Sequence, residues 1–200
     1  MENKTLLITG FDPFGGQSIN PAWLAVCRLP ESIGEWRLEK LQVPTVYGRA
    51  AQLVQQRAAV QQPQAILCVG QAAGRSAVTP ELIGINYQHA SLPDNAGVQP
   101  QDMPIIPDGP DAIFSTLPVQ AMAGAIRAAG LPGEVSYTAG SFVCNDLLYR
   151  LLYHFRGSPV RVGFVHVPLS PEQVSGQPPA QPVLPLEKSA AALAAAIGAM

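Results

Sequence analysis

The sequence predicts an α/β protein, a three-layer α/β/α sandwich in which helices cover both faces of a mostly parallel, twisted sheet. Short continuous apolar runs at residues 5–8 and 65–69 are typical of strands that are buried on both faces. Segments with apolar residues at helical spacing separate such runs and supply the crossovers that parallel strands require. The chain has 200 residues and no visible linker, so residues 1–200 are expected to form one domain.

The predicted elements follow one another in a regular order. Residues 5–8 form the first strand, which ends in the aromatic loop FDPFGGQS, and Asn20 before Pro21 predicts the start of a helix over 22–28. Further strands are predicted at residues 37–43, 65–69, 135–138 and 160–167, and further helices at residues 47–60, 117–129, 144–155 and 186–199. Residues 92–110 are rich in Pro, Asp, Asn and Gly, which predicts a long surface loop of the kind that is usually functional.

The composition excludes several classes of protein. A content of 48% hydrophobic and 13% charged residues predicts a globular chain with a sizeable core. The formal net charge is -2 and no Lys/Arg cluster is present, so nucleic acid is not an expected partner. The C-terminal apolar stretch SAAALAAAIGAM is shorter than the roughly 20 residues that a membrane span needs, so no membrane association is expected.

The cysteines and glycines argue against the common cofactor sites. Three widely spaced cysteines without a C-x-x-C pair fit neither a disulfide framework nor a zinc site, and a reducing cytoplasm is the expected location. The glycines of GFDPFGG do not match G-x-G-x-x-G, which argues against a dinucleotide site. Neither a metal nor a cofactor is predicted.

Cys144 is the candidate nucleophile. It follows the turn TAGSFV and precedes an apolar pattern of helical spacing, so it is expected to cap a helix. The positive end of the helix dipole favours a thiolate, and the unpaired N–H groups there are able to hold an oxyanion. The alternative is that Cys144 is a small buried hydrophobe, which is the interpretation we adopt for Cys27 and Cys68.

His166 and Glu81 are candidates for the base and for its orienting group. His166 ends the apolar strand RVGFVHVP, at the carboxyl edge of the sheet where ligands bind in such folds. A core histidine is the alternative interpretation. Glu81 adjoins the apolar stretch at residues 82–85, and a buried carboxylate needs a partner such as an imidazole.

The first loop predicts a site for a flat, uncharged ring. Phe11 and Phe14 are able to clamp such a ring, although loop aromatics that merely pack against the protein are about equally common. Gln71 follows the strand at residues 65–69 and offers amide hydrogen bonds in the same region.

Six segments, in order, resemble pyroglutamyl peptidase type I, also called pyrrolidone-carboxylate peptidase: ITGFDPFGG, INP, GRSAVTPE, LPDNAGVQP, TAGSFVCN and VHVPLSPEQ. The resemblance covers about residues 6–173 and implies an α/β/α sandwich and a cofactor-free cytoplasmic cysteine hydrolase that forms homo-oligomers such as dimers or tetramers. It implies that Glu81, Cys144 and His166 are catalytic and that the substrates are peptides with N-terminal pyroglutamate. The predicted substrate-binding residues are Phe11, Phe14, Asn20, Gln71, Ser91, Leu92, Phe142 and Val143.

The departures from the family pattern follow Glu81. Leu82 replaces a usual basic residue, His89 a usual acidic one, and Ser91 the Arg that the family places near the oxyanion. Losing one oxyanion donor slows acyl transfer by about a hundred-fold or more unless another group compensates. Two alternatives to an active peptidase therefore stay open: a weakly active relative that binds lactam ligands, and an amidase with altered specificity.

Overall fold

The computed structural model describes residues 4–174 and 181–200. The strands β1 to β8 are, in order, Lys4–Phe11, Ser32–Ile33, Trp36–Val43, Ala65–Gln71, Thr79–Pro80, Ile83–Ile85, Ala112–Phe114 and Arg161–Val167. The helices α1 to α6 are Pro21–Arg28, Arg49–Gln61, Val119–Ala128, Val143–His154, Pro171–Val174 and Leu186–Gly198. No helix within these described residues is both long and apolar enough to cross a membrane.

A six-stranded sheet in the order β2-β3-β1-β4-β8-β5 forms the centre of the fold. The four middle strands are parallel, whereas β2 and β5 pair antiparallel at the two edges. Strand β4 occupies a central position, as its continuous apolar run predicts. The predicted α/β sandwich with a mostly parallel sheet is confirmed.

Two apolar cores lie on opposite faces of this sheet. One contains side chains of α1, α3 and α6, and the other contains side chains of α2 and α4. Alternate residues of β4 contribute to the two cores: Leu67 and Val69 to the first, Ile66 and Cys68 to the second. Since strand side chains alternate in direction, Gly70 belongs to the face that α4 covers.

Close packing of β1 against α1 explains a glycine at the end of the first strand. A Cβ placed on Gly10 would lie 2.7 Å from the Trp23 Cα atom, so only glycine allows this approach. The helix begins as predicted, because the Asn20 side chain accepts a hydrogen bond from the Ala22 N–H and Pro21 occupies the first turn. The loop FDPFGGQS is thereby held over the carboxyl edge of the sheet.

Some local predictions need correction. Residues 135–138 do not form a strand: this part of the chain makes only the isolated bridges Val78–Gly133 and Glu81–Ser136. Helix α4 begins at Val143 with Phe142 as its N-cap, so Cys144 lies inside the first turn and is not the cap. The small antiparallel sheet of β6 and β7 was not predicted, because its two short strands lie on either side of the long loop.

Candidate active site

The carboxyl edge of β4 and β8 brings the predicted catalytic residues together. Gly70 and His166 are direct partners in the parallel pairing of these strands. A Cβ placed on Gly70 would lie 2.9 Å from the Cys144 Sγ atom. The thiol at the start of α4 therefore lies directly above Gly70, on the same side of the sheet as His166.

His166 is buried and held by Glu81. Its ring Nδ1 lies 2.6 Å from Glu81 Oε1, and the two residues are 3% and 0% exposed. Strand β5 creates this contact, because Thr79 pairs with His166 and the chain then places Glu81 beside the ring. With Nδ1 engaged by the carboxylate, Nε2 is the ring nitrogen that is free to exchange a proton with a thiol.

The surroundings shift the pKa values of both reacting groups. Burial, followed by the negative charge of Glu81, raises the pKa of the Cys144 thiol to about 12, and the positive charge of Arg75 opposes both. Burial also lowers the pKa of His166, against the hydrogen bond and the charge of Glu81. Both shifts favour the uncharged forms, a thiol and an imidazole, whereas the dipole at the start of α4 favours the thiolate.

The aromatic side chains form two groups. Phe14 lies 5.8 Å from Phe142 between ring centroids, and Tyr47 meets the Phe142 ring edge-on at 5.5 Å. Phe11 is 2% exposed and packs on Phe164 at 6.4 Å, in the core beneath the site. Phe14 is thus the accessible member of the first-loop pair, and Phe11 supports the floor.

The other predicted substrate-binding residues occupy different positions. Val143, the first residue of α4, is buried in the core between this helix and the sheet. Asn20 is also buried, and its side-chain amide donates to the Asp12 carbonyl. Leu92 is exposed and lies over the first loop, where its Cδ1 atom would be 3.7 Å from a Cβ on Gly15. Ser91 is exposed to solvent.

The Gln71 side chain has a fixed orientation. Gln173 accepts from the Ser170 N–H through Oε1 and donates through Nε2 to the Ile19 carbonyl. The same Nε2 donates to Gln71 Oε1 at 3.0 Å. Because backbone groups fix which end of Gln173 is the donor, the Gln71 NH₂ group is the part left available for a ligand.

Three residues that contact the site have no role predicted from sequence: Tyr47, Arg75 and Gln173. Arg75 Nη1 donates to Glu81 Oε1 at 2.7 Å, which is the oxygen that His166 also contacts. Arg75 and Gln173 lie in the segments GRSAVTPE and VHVPLSPEQ, so those segments were a usable signal for both. Within the described ranges, no group of three or more His, Cys, Asp or Glu side chains is arranged to hold a metal ion.

Comparison with known proteins agrees with this geometry. The family model for pyroglutamyl peptidase matches residues 4–200. The chain is 50% identical to a pyrrolidone-carboxylate peptidase of Levilactobacillus brevis over 198 residues, which cover 98% of this chain and 96% of the relative. It is also 50% identical over 175 residues, 86% of this chain and 81% of the relative, to a pyrrolidone-carboxylate peptidase of Streptococcus pyogenes.

Solved structures show the same fold. The crystal structure of Bacillus amyloliquefaciens pyroglutamyl peptidase I superposes with a TM-score of 0.93 at 41% identity, covering 98% of this chain and 96% of that one. The pyrrolidone carboxyl peptidase of Thermococcus litoralis superposes with a TM-score of 0.91 at 34% identity, covering 97% and 91%. The chain therefore belongs to the pyroglutamyl peptidase family of cysteine peptidases.

Proposed function

We propose that the chain removes N-terminal pyroglutamate from peptides through a thioester on Cys144, with His166 as base and acid and Glu81 as its orienting carboxylate. The observation that carries this proposal is the buried imidazole, fixed by Glu81 through Nδ1, on the same side of the sheet as a thiol in the first turn of a helix. That arrangement has the parts required for nucleophilic acyl transfer.

Because burial raises the pKa of Cys144 and lowers that of His166, we assign the pair a general-base mechanism that starts from a thiol and an imidazole. As the sulfur attacks the pyroglutamyl carbonyl, His166 Nε2 takes the thiol proton. The tetrahedral intermediate collapses when the peptide nitrogen takes that proton and leaves as the amine, which produces a thioester on Cys144. His166 then removes a proton from water, the resulting hydroxide attacks the thioester, and free pyroglutamate leaves as the thiol is restored. We assign binding of the oxyanion to the backbone N–H groups in the first turn of α4, which begins at Val143.

The substrate site matches a neutral lactam. Phe14, Phe142 and Tyr47 provide aromatic surface for a flat ring, and burial raises the pKa of Tyr47, which keeps its phenol uncharged. The Gln71 NH₂ group is available to donate to the lactam carbonyl. Asn20 acts indirectly, by holding the first loop in place. Phe11, Val143, Leu92 and Ser91 are assigned to the floor and rim of the site.

Hydrolysis of a fluorogenic pyroglutamyl amide by the purified protein tests the function, with the Ser91→Arg variant measured alongside. We expect turnover by the parent and a faster rate in Ser91→Arg. A parent without turnover, with activity restored by Ser91→Arg, would favour a ligand-binding relative whose oxyanion site is impaired. Turnover of another cyclic acyl amide in preference to the pyroglutamyl substrate would favour the amidase alternative.

Cellular location and assembly are further parts of the proposal. We propose a cytoplasmic enzyme that forms a homo-oligomer, and the three free cysteines are compatible with a reducing compartment. Light scattering on the purified protein measures the assembly. A monomer at micromolar concentration would contradict it.

Gly70→Ala is expected to lower kcat by about a hundred-fold, because misplacing a reacting atom by about 1 Å costs that much. The new methyl group would lie 2.9 Å from the Cys144 sulfur and 2.8 Å from the Phe164 ring, so the thiol must move. Steady-state kinetics on the pyroglutamyl amide measures the loss. Gly124→Ala in α3 is the control, since its nearest neighbour would be 4.0 Å away and activity should be unchanged. Equal activity of the two variants would contradict the geometry.

Gln173→Glu is expected to raise the KM for the pyroglutamyl amide about ten-fold, the usual effect of losing one hydrogen bond, with a smaller change in kcat. A carboxylate at this position accepts from the Gln71 NH₂ group and leaves the Gln71 carbonyl facing the ligand. Gln52→Glu on the exposed face of α2 introduces the same charge away from the site and should have no effect. An unchanged KM in Gln173→Glu would show that Gln71 does not bind the lactam carbonyl.

A further inference from the structure

The Glu81 carboxylate carries two partners on a single oxygen. Oε1 accepts from Arg75 Nη1 at 2.7 Å and lies 2.6 Å from His166 Nδ1. Oε2 is buried and has no hydrogen-bond partner among the described residues. A carboxylate that is 0% exposed needs partners for its charge, and the Arg75 guanidinium supplies a permanent positive charge on the side away from the imidazole.

Arg75 is itself held in place by groups on both sides. Its Nη1 also donates to the Thr79 hydroxyl, on the residue that pairs with His166 in the sheet. Its Nη2 donates to the Thr138 carbonyl at 3.0 Å, in the segment that leads into α4. The guanidinium is partly exposed and borders an open cavity that Ser76, Glu134 and Ser136 also line. Arg75 thus approaches Glu81 from the solvent side, while His166 and Cys144 belong to the interior of the site.

The charges in this cluster act on one another at short range. Arg75 Nη1 and His166 Nδ1 share Glu81 Oε1, so they are no more than 5.3 Å apart, the total of the 2.7 Å and 2.6 Å hydrogen bonds. The titratable and charged groups around His166 are Glu81 from the β5 side, Arg75 from the loop after β4, Cys144 from α4 and Cys68 from β4. Glu134 lies farther out, beside Arg75. A cation this close opposes much of the field that Glu81 exerts on the imidazole and the thiol.

We propose that Arg75 is a positioning residue, which keeps Glu81 aimed at His166 and at the same time weakens the field of the carboxylate, so that the imidazole releases its proton readily. This proposal rests on the roles proposed for Glu81 and His166. Without Arg75, an unopposed carboxylate stabilises the imidazolium and destabilises a developing thiolate. The proton that His166 must deliver to the leaving amine is then held more tightly.

The test is the pH dependence of kcat/KM in Arg75→Gln. In the parent, the acid limb reports protonation of His166 and is expected below pH 6.5, because burial lowers the His166 pKa from that value. In Arg75→Gln the acid limb is expected to rise by about one pH unit. Arg75→Lys keeps the charge without the planar fork, so its acid limb should stay close to that of the parent while kcat falls a few-fold.

Arg127→Gln is the matched control. Arg127 donates to the Gly133 carbonyl at 2.9 Å. Its replacement therefore also removes a hydrogen bond from an arginine to the chain segment before α4, but it does not change the surroundings of a carboxylate. Its pH profile should equal that of the parent. An acid limb in Arg75→Gln that stays in place or moves down overturns the proposal, as does an equal shift in Arg127→Gln. If Arg75→Gln does not fold, an acid limb that rises by about one pH unit in Arg75→Lys overturns the proposal, because the lysine keeps the positive charge.

A second measurement does not depend on turnover. The rate at which iodoacetamide alkylates Cys144, followed by mass spectrometry of its peptide, reports ionisation of the thiol as a function of pH. Arg75→Gln is expected to move this profile upward as well, since the cation no longer opposes Glu81 at the sulfur. Unchanged alkylation profiles in all variants contradict the proposal even if the protein hydrolyses no pyroglutamyl amide. A protein without turnover whose profile still shifts supports Arg75 and refutes only the proposed reaction.

Discussion

Cys144→Ser is expected to lower turnover of a pyroglutamyl amide by on the order of 10⁴-fold or more, because losing the nucleophile disables the remaining groups of the catalytic set. A serine hydroxyl holds its proton far more strongly than a thiol, and burial lowers the pKa of His166, which weakens the imidazole as a base for that hydroxyl. Release of fluorophore under saturating substrate measures kcat. The variant should retain substrate affinity, because the aromatic rings and Gln71 are untouched.

The control for this experiment is Cys27→Ser. Cys27 is exposed on α1, within the helix that packs on the other face of the sheet, so its replacement should leave kcat unchanged. Activity of Cys144→Ser within ten-fold of the parent would contradict the thioester mechanism. Equal loss in both variants would indicate a general sensitivity of the fold to cysteine replacement.

Glu81→Gln is expected to lower kcat by about 10³-fold to 10⁴-fold with little change in KM, by analogy with amide substitution of the orienting carboxylate in other triads. The amide is nearly the same size, so packing is kept. It removes the negative charge that stabilises the imidazolium during proton transfer, and an amide NH₂ group turned toward His166 favours the wrong tautomer. It also leaves Arg75 without its counter-ion. Steady-state kinetics measures the loss of imidazolium stabilisation, and the thermal unfolding midpoint measures the loss of the Arg75 counter-ion.

Glu134→Gln is the matched variant for Glu81→Gln. Glu134 is an exposed carboxylate that lines the cavity beside Arg75, so its removal changes the charge near the guanidinium without touching the imidazole. We expect kcat to stay within about two-fold of the parent, since exposed charges interact weakly. A fall in Glu81→Gln no larger than that in Glu134→Gln would show that Glu81 does not orient the base.

The longer elements of the fold were predictable because their patterns are local. The apolar run of β4 and the Asn20-Pro21 pair before α1 gave correct positions, and α4 begins one residue before its predicted start. The strand prediction for residues 135–138 was wrong, because the few pairings of this segment are set by distant parts of the chain rather than by its own β-propensity. The short strands β5, β6 and β7 were not predicted, for the same reason. Strand β5 is the one that places Glu81 beside His166.

The sequence by itself determined the fold class, the family, a cysteine at the start of a helix and a histidine at the end of a buried strand. Each of these depends on neighbouring residues or on a contiguous motif. Only the tertiary structure decided that Glu81 meets His166 across 85 positions of chain, that Arg75 shares the same oxygen, and that Gln173 orients Gln71. It also decided the surroundings that raise the Cys144 pKa, because desolvation of the thiol depends on what packs around the sulfur, and that packing comes from distant parts of the chain.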